Sequence, residues 1–309
     1  MKDALVTLIG GGGFLGRYVA QALMRQGARI RIVQRRPRDA WFLKPLGGLG
    51  QSQFVAGDVT RPETIANAVA GSDAVVNLAG TFKASDFDAV HADGARTVAE
   101  AARSAGVSAL VHVSAIGADP ASRAGYGRSK AAGEAAVRAA FPSAAILRPS
   151  VLFGREDRFV NRFAGMIAGL PVMPVLRGGT RFQPAYVADA ADAVVAALAD
   201  RQAHGGRTYE LGGPDTLTLI EIYRWIAREI GRDIPFIELP DAIGALVPLL
   251  PGAPITGDQW KMLAHDNVVA AGAEGFAALG VQPTPLATVA PAWLVRFRRH
   301  GRFGKLGAA

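Results

Sequence analysis

Short apolar runs and amphipathic stretches alternate at a regular spacing through the first half of the chain. Residues 4–9 have the length and β-branched content of a strand buried on both faces. After four glycines, Phe14, Leu15, Tyr18, Val19, Ala22 and Leu23 recur on one helical face. Residues 28–34 and 53–56 read as the next strands, with a loop over 38–51 between them. A helix over 62–70, a strand over 73–78, a long amphipathic helix over 87–105 and a strand over 109–113 follow. This order predicts an α/β fold, a Rossmann-type doubly wound parallel sheet. The pattern assigns 1–153 to that domain, rejoined by 181–213 through a helix over 187–199 and a strand over 208–211. Residues 154–180 and 214–309 are expected to form a smaller, mainly helical lobe, in which Leu219, Ile222, Tyr223, Ile226 and Ile230 share one packed helix face.

The glycines stand where the first strand gives way to the first helix. Gly11, Gly13 and Gly16 fit G-x-G-x-x-G, and Gly10, Gly13 and Gly16 fit G-x-x-G-x-x-G. Between a strand and a helix, such a turn lets backbone N–H groups and the positive helix end hold the pyrophosphate of a dinucleotide, with Phe14 and Leu15 opening the helix. The end of the second strand selects the cofactor. Gln34 stands where an NAD-preferring site places a carboxylate, and Arg35 and Arg36 follow, so NADPH or NADP is favoured over NAD. Asp58 and Val59 fall where the adenine edge would lie. Ala79 and Gly80, small residues after Leu78 at the fourth strand's end, allow close approach on the nicotinamide side.

Tyr126 and Lys130 lie one helical turn apart, on one face. A nearby cation favours phenolate, so the pairing predicts a lowered Tyr126 pKa and a phenol usable as proton donor or acceptor, while Lys130 is also placed to hold a nicotinamide ribose. The same spacing is common on solvated helix surfaces, and its position after a complete nucleotide-binding half gives it weight. Ser114 closes the fifth strand.

The glycine turn, Asp58-Val59, Tyr126 with Lys130 and the run L-R-P-S-V-L-F-G ending at Gly154 together resemble the extended and atypical short-chain dehydrogenase/reductase superfamily. The runs H-V-S-A-I-G-A-D-P from His112, Y-G-R-S-K-A-A-G-E from Tyr126, G-R-E-D-R-F-V-N-R-F-A from Gly154 and R-F-Q-P-A-Y-V-A-D from Arg181 resemble more closely the nucleotide-binding accessory subunit of respiratory complex I and its bacterial relatives. The resemblance implies Tyr126, Lys130 and Ser114 as the catalytic set, and Arg148 and Pro149 among the cofactor-side residues. It implies an NADP(H)-binding protein with a structural or regulatory nucleotide. The alternative is an active NADPH-dependent oxidoreductase or NAD(P)-dependent epimerase/dehydratase acting on a small carbonyl, sugar or sterol-like substrate. Two departures stand out: Ala115 and Ile116 occupy positions where extended members often place the working hydroxyl, and His91 replaces an asparagine. A lone helical histidine is more often a packed residue than a catalyst.

Composition narrows the remaining classes. With no cysteine among 309 residues there are no disulfides, thiol nucleophiles or cysteine-held metals, and five scattered histidines make no ligand spacing, so no metal site is expected. The first strand begins at residue 4 with no basic n-region and no cleavage-type site, so no signal peptide is expected, and no run reaches a membrane-spanning length, which predicts a cytoplasmic protein. The apolar stretch 242–255, broken by Pro248, Pro251 and Pro254, reads either as a lid over a hydrophobic pocket or as an exposed patch. The net charge is +8, and after Glu274 there is no acid while Arg296, Arg298, Arg299, Arg302 and Lys305 crowd together. That tail is either solvated or a handle for a respiratory complex or an anionic membrane, such as the inner face of the plasma membrane. No nucleic-acid motif accompanies the charge, and no nucleic acid is expected as a partner.

Overall fold

Parallel strands buried on both faces must be apolar nearly throughout, and this requirement is met first by β1 (Leu5–Ile9), where Val6, Leu8 and Ile9 are buried. The structure is a computed structural model that describes residues 1–250, 253, 255–299 and 301. In chain order β1 is followed by α1 (Phe14–Arg25), β2 (Arg29–Gln34), β3 (Ser52–Ala56), α2 (Pro62–Val69), β4 (Ala74–Asn77), α3 (Gly94–Ser104), β5 (Ala109–Val113), α4 (Gly125–Ala140) and β6 (Ala145–Pro149). The sheet has seven strands, all parallel, in the order Thr208–Leu211, β6, β5, β4, β1, β2, β3. Strand order reverses between β1 and β4, and such a switch point opens a crevice at the carboxyl ends of the strands.

The first compact unit comprises Met1–Pro149, Val187–Leu211 and Ala270–Gln282. The helix Val187–Ala199 and the strand Thr208–Leu211 belong to it. A further passage over 270–282, which the pattern assigns to the smaller lobe, also belongs here: Phe276 and Leu279 are buried, and the Ala270 N–H donates to Glu210 Oε2 at 2.8 Å.

Three local differences from the sequence pattern have physical causes. Residues 38–51 are not simply a loop, because Pro37–Leu46 forms a 3-10 helix. Pro37 opens it, and Ala40 and Leu43, three residues apart, both turn inward while Trp41, Phe42 and Leu46 stay about half exposed. The buried face of α1 is rotated from the expected one: Gly16, Val19, Ala20, Leu23 and Met24 are buried, and Phe14, Leu15, Tyr18 and Ala22 are only partly covered. The long helix predicted over 87–105 begins with a π-helical turn, Asp88–Asp93. There the His91 carbonyl presses against α4 so closely that a Cβ on Gly133 could not be accommodated.

Arg148 braces this unit. Its guanidinium forks onto both oxygens of the buried Glu134 on α4, at 2.8 and 2.7 Å, and reaches Glu210 at 3.4 Å.

The second unit comprises Ser150–Tyr186, Gly212–Val269 and Pro283–Ala309. Its core gathers the helices Val160–Gly169 and Leu219–Glu229, and Leu219, Ile222, Tyr223, Ile226 and Ile230 are buried as their spacing predicts. A capping box between Thr218 and Glu221 starts the second helix. In the apolar stretch, Ile243, Leu246, Leu249 and Leu250 are each at least half exposed, while Pro251, Gly252 and Pro254 lie outside the described residues. In the basic tail, Arg296 donates to the Arg155 carbonyl and Arg298 to the Glu229 carbonyl, Arg299 is exposed, and Arg302 and Lys305 lie outside the described residues. No helix among the described residues is long and apolar enough to cross a membrane.

Breaking a buried pair from one side strands a charge, which costs about 3–5 kcal/mol. Arg148→Met is therefore expected to lower unfolding free energy by about that amount, and Arg148→Met with Glu134→Leu by distinctly less. Urea denaturation of the two variants checks both.

Candidate functional site

The ends of β1 and β4 define the crevice. Gly10 continues β1 through an N–H bond to the Val33 carbonyl, with φ at +81°, and its missing Cβ would lie 3.1 Å from the Leu78 backbone. At Gly16 a Cβ would lie 2.5 Å from the Gly11 carbonyl oxygen, so this glycine lets α1 pack on the turn before it. Gly13 is different. It is exposed, holds an extended φ of −74°, and a Cβ there would meet only the Gly10 carbonyl oxygen, at 3.2 Å. That single contact is tight for a Cβ, and the rest of the face is open. Gly13 is also the N-cap of α1, has no side-chain cap, and is followed by no acid in the first turn. Phe14 and Leu15 thus begin the helix with backbone donors that no side chain caps. An open face, uncapped donors and the positive end of a helix suit an anion such as a pyrophosphate.

Around this turn, Gln34 donates to the Arg36 carbonyl at 2.7 Å and lies over Gly12. Arg36 is exposed and paired with Asp39 at 2.9 Å, whereas Arg35 is exposed and acts on Asp58 through its charge. Burial opposes ionisation of Asp58, but the Thr60 N–H and hydroxyl at 3.0 and 2.8 Å, with Arg35 and Arg61, hold its carboxyl below the usual range. Val59 is buried against Gly94. Pro149 ends β6, beside the Arg148 brace.

At the end of β4, the Leu78 N–H donates to the Ile9 carbonyl at 2.9 Å, and the Ala79 N–H to Asn77 Oδ1 at 3.1 Å. A Cβ on Gly80 would stand 3.8 Å from both Lys130 Nζ and His91 Nε2, so this loop and α4 together form one wall. Lys130 is buried, donates to the Val113 carbonyl at 3.3 Å and lies 5.8 Å from the Tyr126 ring centre. Ser114, next along from Val113, is buried with a hydroxyl that has no partner among the described residues. The Tyr126 ring is enclosed by Phe82, stacked at 5.2 Å and 9°, and by the edges of Phe87 at 5.8 Å and His91 at 5.4 Å.

This enclosure corrects the expected electrostatics. Burial raises the Tyr126 pKa above its usual value, and the Lys130 cation does not reverse that. Lys130 is itself pulled down by burial to about 8, partly opposed by Glu134. The phenol is therefore neutral at pH 7, a donor rather than a ready base. His91 and His112 are held neutral, each at about 3, first by burial and then by the Lys130 charge. His112 Nδ1 accepts from Asn77 Nδ2 at 3.2 Å, because Asn77 Oδ1 is already used by Ala79; its buried Nε2 has no partner among the described residues.

Sequence reasoning did not find Asn77, Phe82, His112 or Ser129 as parts of this wall. Ser129 lies inside the Tyr126–Lys130 spacing, and His112 two residues before Ser114, so both had a positional signal. Phe82 sits in an irregular loop and had none.

A doubly wound sheet with a glycine turn at its switch point, and a Tyr-x-x-x-Lys helix beside it, defines a dinucleotide-binding fold of the short-chain dehydrogenase/reductase type. The chain belongs to the NAD dependent epimerase/dehydratase family, whose model matches residues 6–212. It is similar to NADH dehydrogenase (ubiquinone) 1 alpha subcomplex subunit 9, mitochondrial, of Mus musculus: 38% identical over 296 residues, covering 93% of this chain and 78% of the relative. It is also similar to the ceramide reductase of Caulobacter vibrioides, 36% identical over 275 residues, covering 84% and 80%. Among solved structures, the triphenylmethane reductase of Citrobacter sp. complexed with NADP(H) has a TM-score of 0.76 at 20% identity, covering 93% of this chain and 99% of that one, a likeness of fold.

Both histidines bind a proton in the unfolded chain below the ordinary value of 6.5 and resist it in the fold. The stability tied to them is complete above that pH and is lost as pH falls toward 3, by about 1.4 kcal/mol per pH unit for each. Urea midpoints measured between pH 4.5 and 7.5 are expected to show a shallower acid slope in His112→Asn than in the wild type.

Proposed function

We propose that the protein binds NADP(H), with the pyrophosphate on the turn of Gly10, Gly11, Gly13 and Gly16 and the first N–H groups of α1. Gly13 is the observation that carries this reading, since apart from one tight contact at the Gly10 carbonyl its face is bare and exposed, as a close-lying phosphate requires. Gln34 brings no carboxylate to the 2′ position, and the exposed Arg35 supplies a guanidinium for a 2′-phosphate, so NADP(H) is preferred to NAD(H). Leu78, Ala79, Gly80 and Lys130 line the nicotinamide side. The kinship with the mouse NADH dehydrogenase subunit supports a place against a respiratory assembly, with the nucleotide held for structural or regulatory purposes.

A second reading, an NADPH-dependent reductase, is favoured by the buried Ser114 hydroxyl, which has no partner among the described residues, beside the Lys130 contact at Val113. The ceramide reductase relative supports it. Bound NADPH supplies hydride to a carbonyl carbon. In this reading the neutral Tyr126 phenol gives its proton to the carbonyl oxygen, Ser114 donates a hydrogen bond to the same oxygen, and Lys130 stabilises the phenolate left behind.

Wild-type protein is expected to bind NADPH more tightly than NADH, and Arg35→Ala to lose about 1.5–3 kcal/mol for NADPH alone. Fluorescence titration of both nucleotides into both proteins is the check, and equal wild-type affinities would overturn the assignment. Gly13→Val, whose Cβ would press on the Gly10 carbonyl oxygen, is expected to lower the urea midpoint modestly, and the folded variant to lose binding of either nucleotide. Near wild-type binding by that variant would place the nucleotide elsewhere.

A further inference from the structure

Behind Tyr126 the polar contacts form one connected strut. The Thr81 N–H donates to His91 Nε2 at 3.0 Å. A backbone N–H can only donate, so Nε2 is the bare nitrogen and the imidazole proton sits on Nδ1. Nδ1 lies 2.9 Å from Ser129 Oγ, and the Ser129 hydroxyl lies 2.9 Å from the Tyr126 carbonyl oxygen, which can only accept. The direction of every bond is thereby fixed: Thr81 to His91, His91 to Ser129, Ser129 to Tyr126. His91 and Ser129 are both 2% exposed. The π-helical turn Asp88–Asp93 and the bare surface of Gly133 bring the imidazole into this place.

We propose that His91 and Ser129 are positioning residues that fix the loop after β4 against the first turn of α4, and so keep Phe82 stacked on the Tyr126 ring. The loop's backbone is held at alternate residues: Ala79 by Asn77, Thr81 by His91, and Lys83 by the Thr81 hydroxyl at 3.0 Å. Phe82 is 64% exposed, and a single stacked pair on a ring so open to water is too weak to order a loop. The order comes from the bond on either side of Gly80. Losing the acceptor at His91 frees Thr81, then Phe82, and uncovers the phenol. This inference rests on reading Tyr126 as the group that faces a substrate, while the strut itself is independent of any nucleotide.

The test uses the full chain without nucleotide and reads two local quantities, amide hydrogen exchange over residues 79–83 and nitration of Tyr126 by tetranitromethane, followed by peptide mass. His91→Phe keeps a ring at the site and removes both bonds. It is expected to speed exchange in the loop and nitration of Tyr126 by about tenfold, with nitration of Tyr18 and Tyr209 unchanged. His91→Gln supplies an amide oxygen for Thr81 and an amide N–H for Ser129, and is expected to restore both rates to near wild type. Should His91→Phe fail to fold, Ser129→Ala breaks the same strut with little change of volume and is read in the same way. Unchanged rates in the variant that is read, or a His91→Gln protein no better protected than it, would overturn the proposal. NADPH titration of the wild type is run alongside: failure to bind would sink the nucleotide reading and leave the exchange and nitration results to judge the strut.

Discussion

The close approach of two strand ends is the constraint on which the site depends. β1 and β4 are neighbours whose following segments leave the sheet in different directions, and Gly10 can turn there only because its backbone adopts a positive φ against the Leu78 main chain. The uncapped start of α1, the Ala79-Gly80 loop and the Tyr126 turn of α4 are arranged around that opening. A side chain at Gly10 would meet the Leu78-Ala79 backbone and a strained positive φ, whereas one at Gly13 would meet a single carbonyl oxygen, that of Gly10, and otherwise face outward. The two glycines are adjacent to the same crevice and differ in what they are for.

Desolvation, more than pairwise charge, sets the chemistry of the wall. Lys130 and Tyr126 are a cation and a phenol on one helix face, an arrangement that in water would favour phenolate. Here the ring is packed between Phe82, Phe87 and His91, and Lys130 is buried against a carbonyl, so both groups are pushed toward their neutral forms. The same burial keeps His91 and His112 neutral and gives each a defined tautomer. A wall of neutral donors and acceptors around one weakened cation suits a carbonyl oxygen or a sugar hydroxyl better than an anionic substrate group.

Much of the fold was legible because parallel strands and amphipathic helices write strong periodic signals. β1, β2, β4, β5 and the helix Leu219–Glu229 all lie where their apolar spacing puts them. The misreadings occurred where other periods applied. Pro37–Leu46 repeats at three residues rather than 3.6, and Asp88–Asp93 widens its turn to fit against α4. In the site, residue types declared themselves at Gly10 to Gly16 and at Tyr126 with Lys130. The Tyr126 pKa did not, because spacing along a helix gives proximity of charges and says nothing of how much water each retains. Phe82 and Asn77 were hidden for a related reason: their roles come from contacts far along the chain, Phe82 with Tyr126 and Asn77 with His112.

The late return of residues 270–282 bears on how the protein is made. Strand Thr208–Leu211 and helix Val187–Ala199 are covered by the short segment that carries Phe276 and Leu279, and Glu210 is held there through the Ala270 N–H and the Glu274 carbonyl. A growing chain that has delivered everything up to residue 211 therefore still exposes an apolar socket and an unfinished sheet edge. Its nucleotide-binding half closes only after most of the second unit has emerged from the ribosome. The two units are interleaved in time as well as in sequence, and a fragment cut where the family match stops, at residue 212, would carry that open socket permanently.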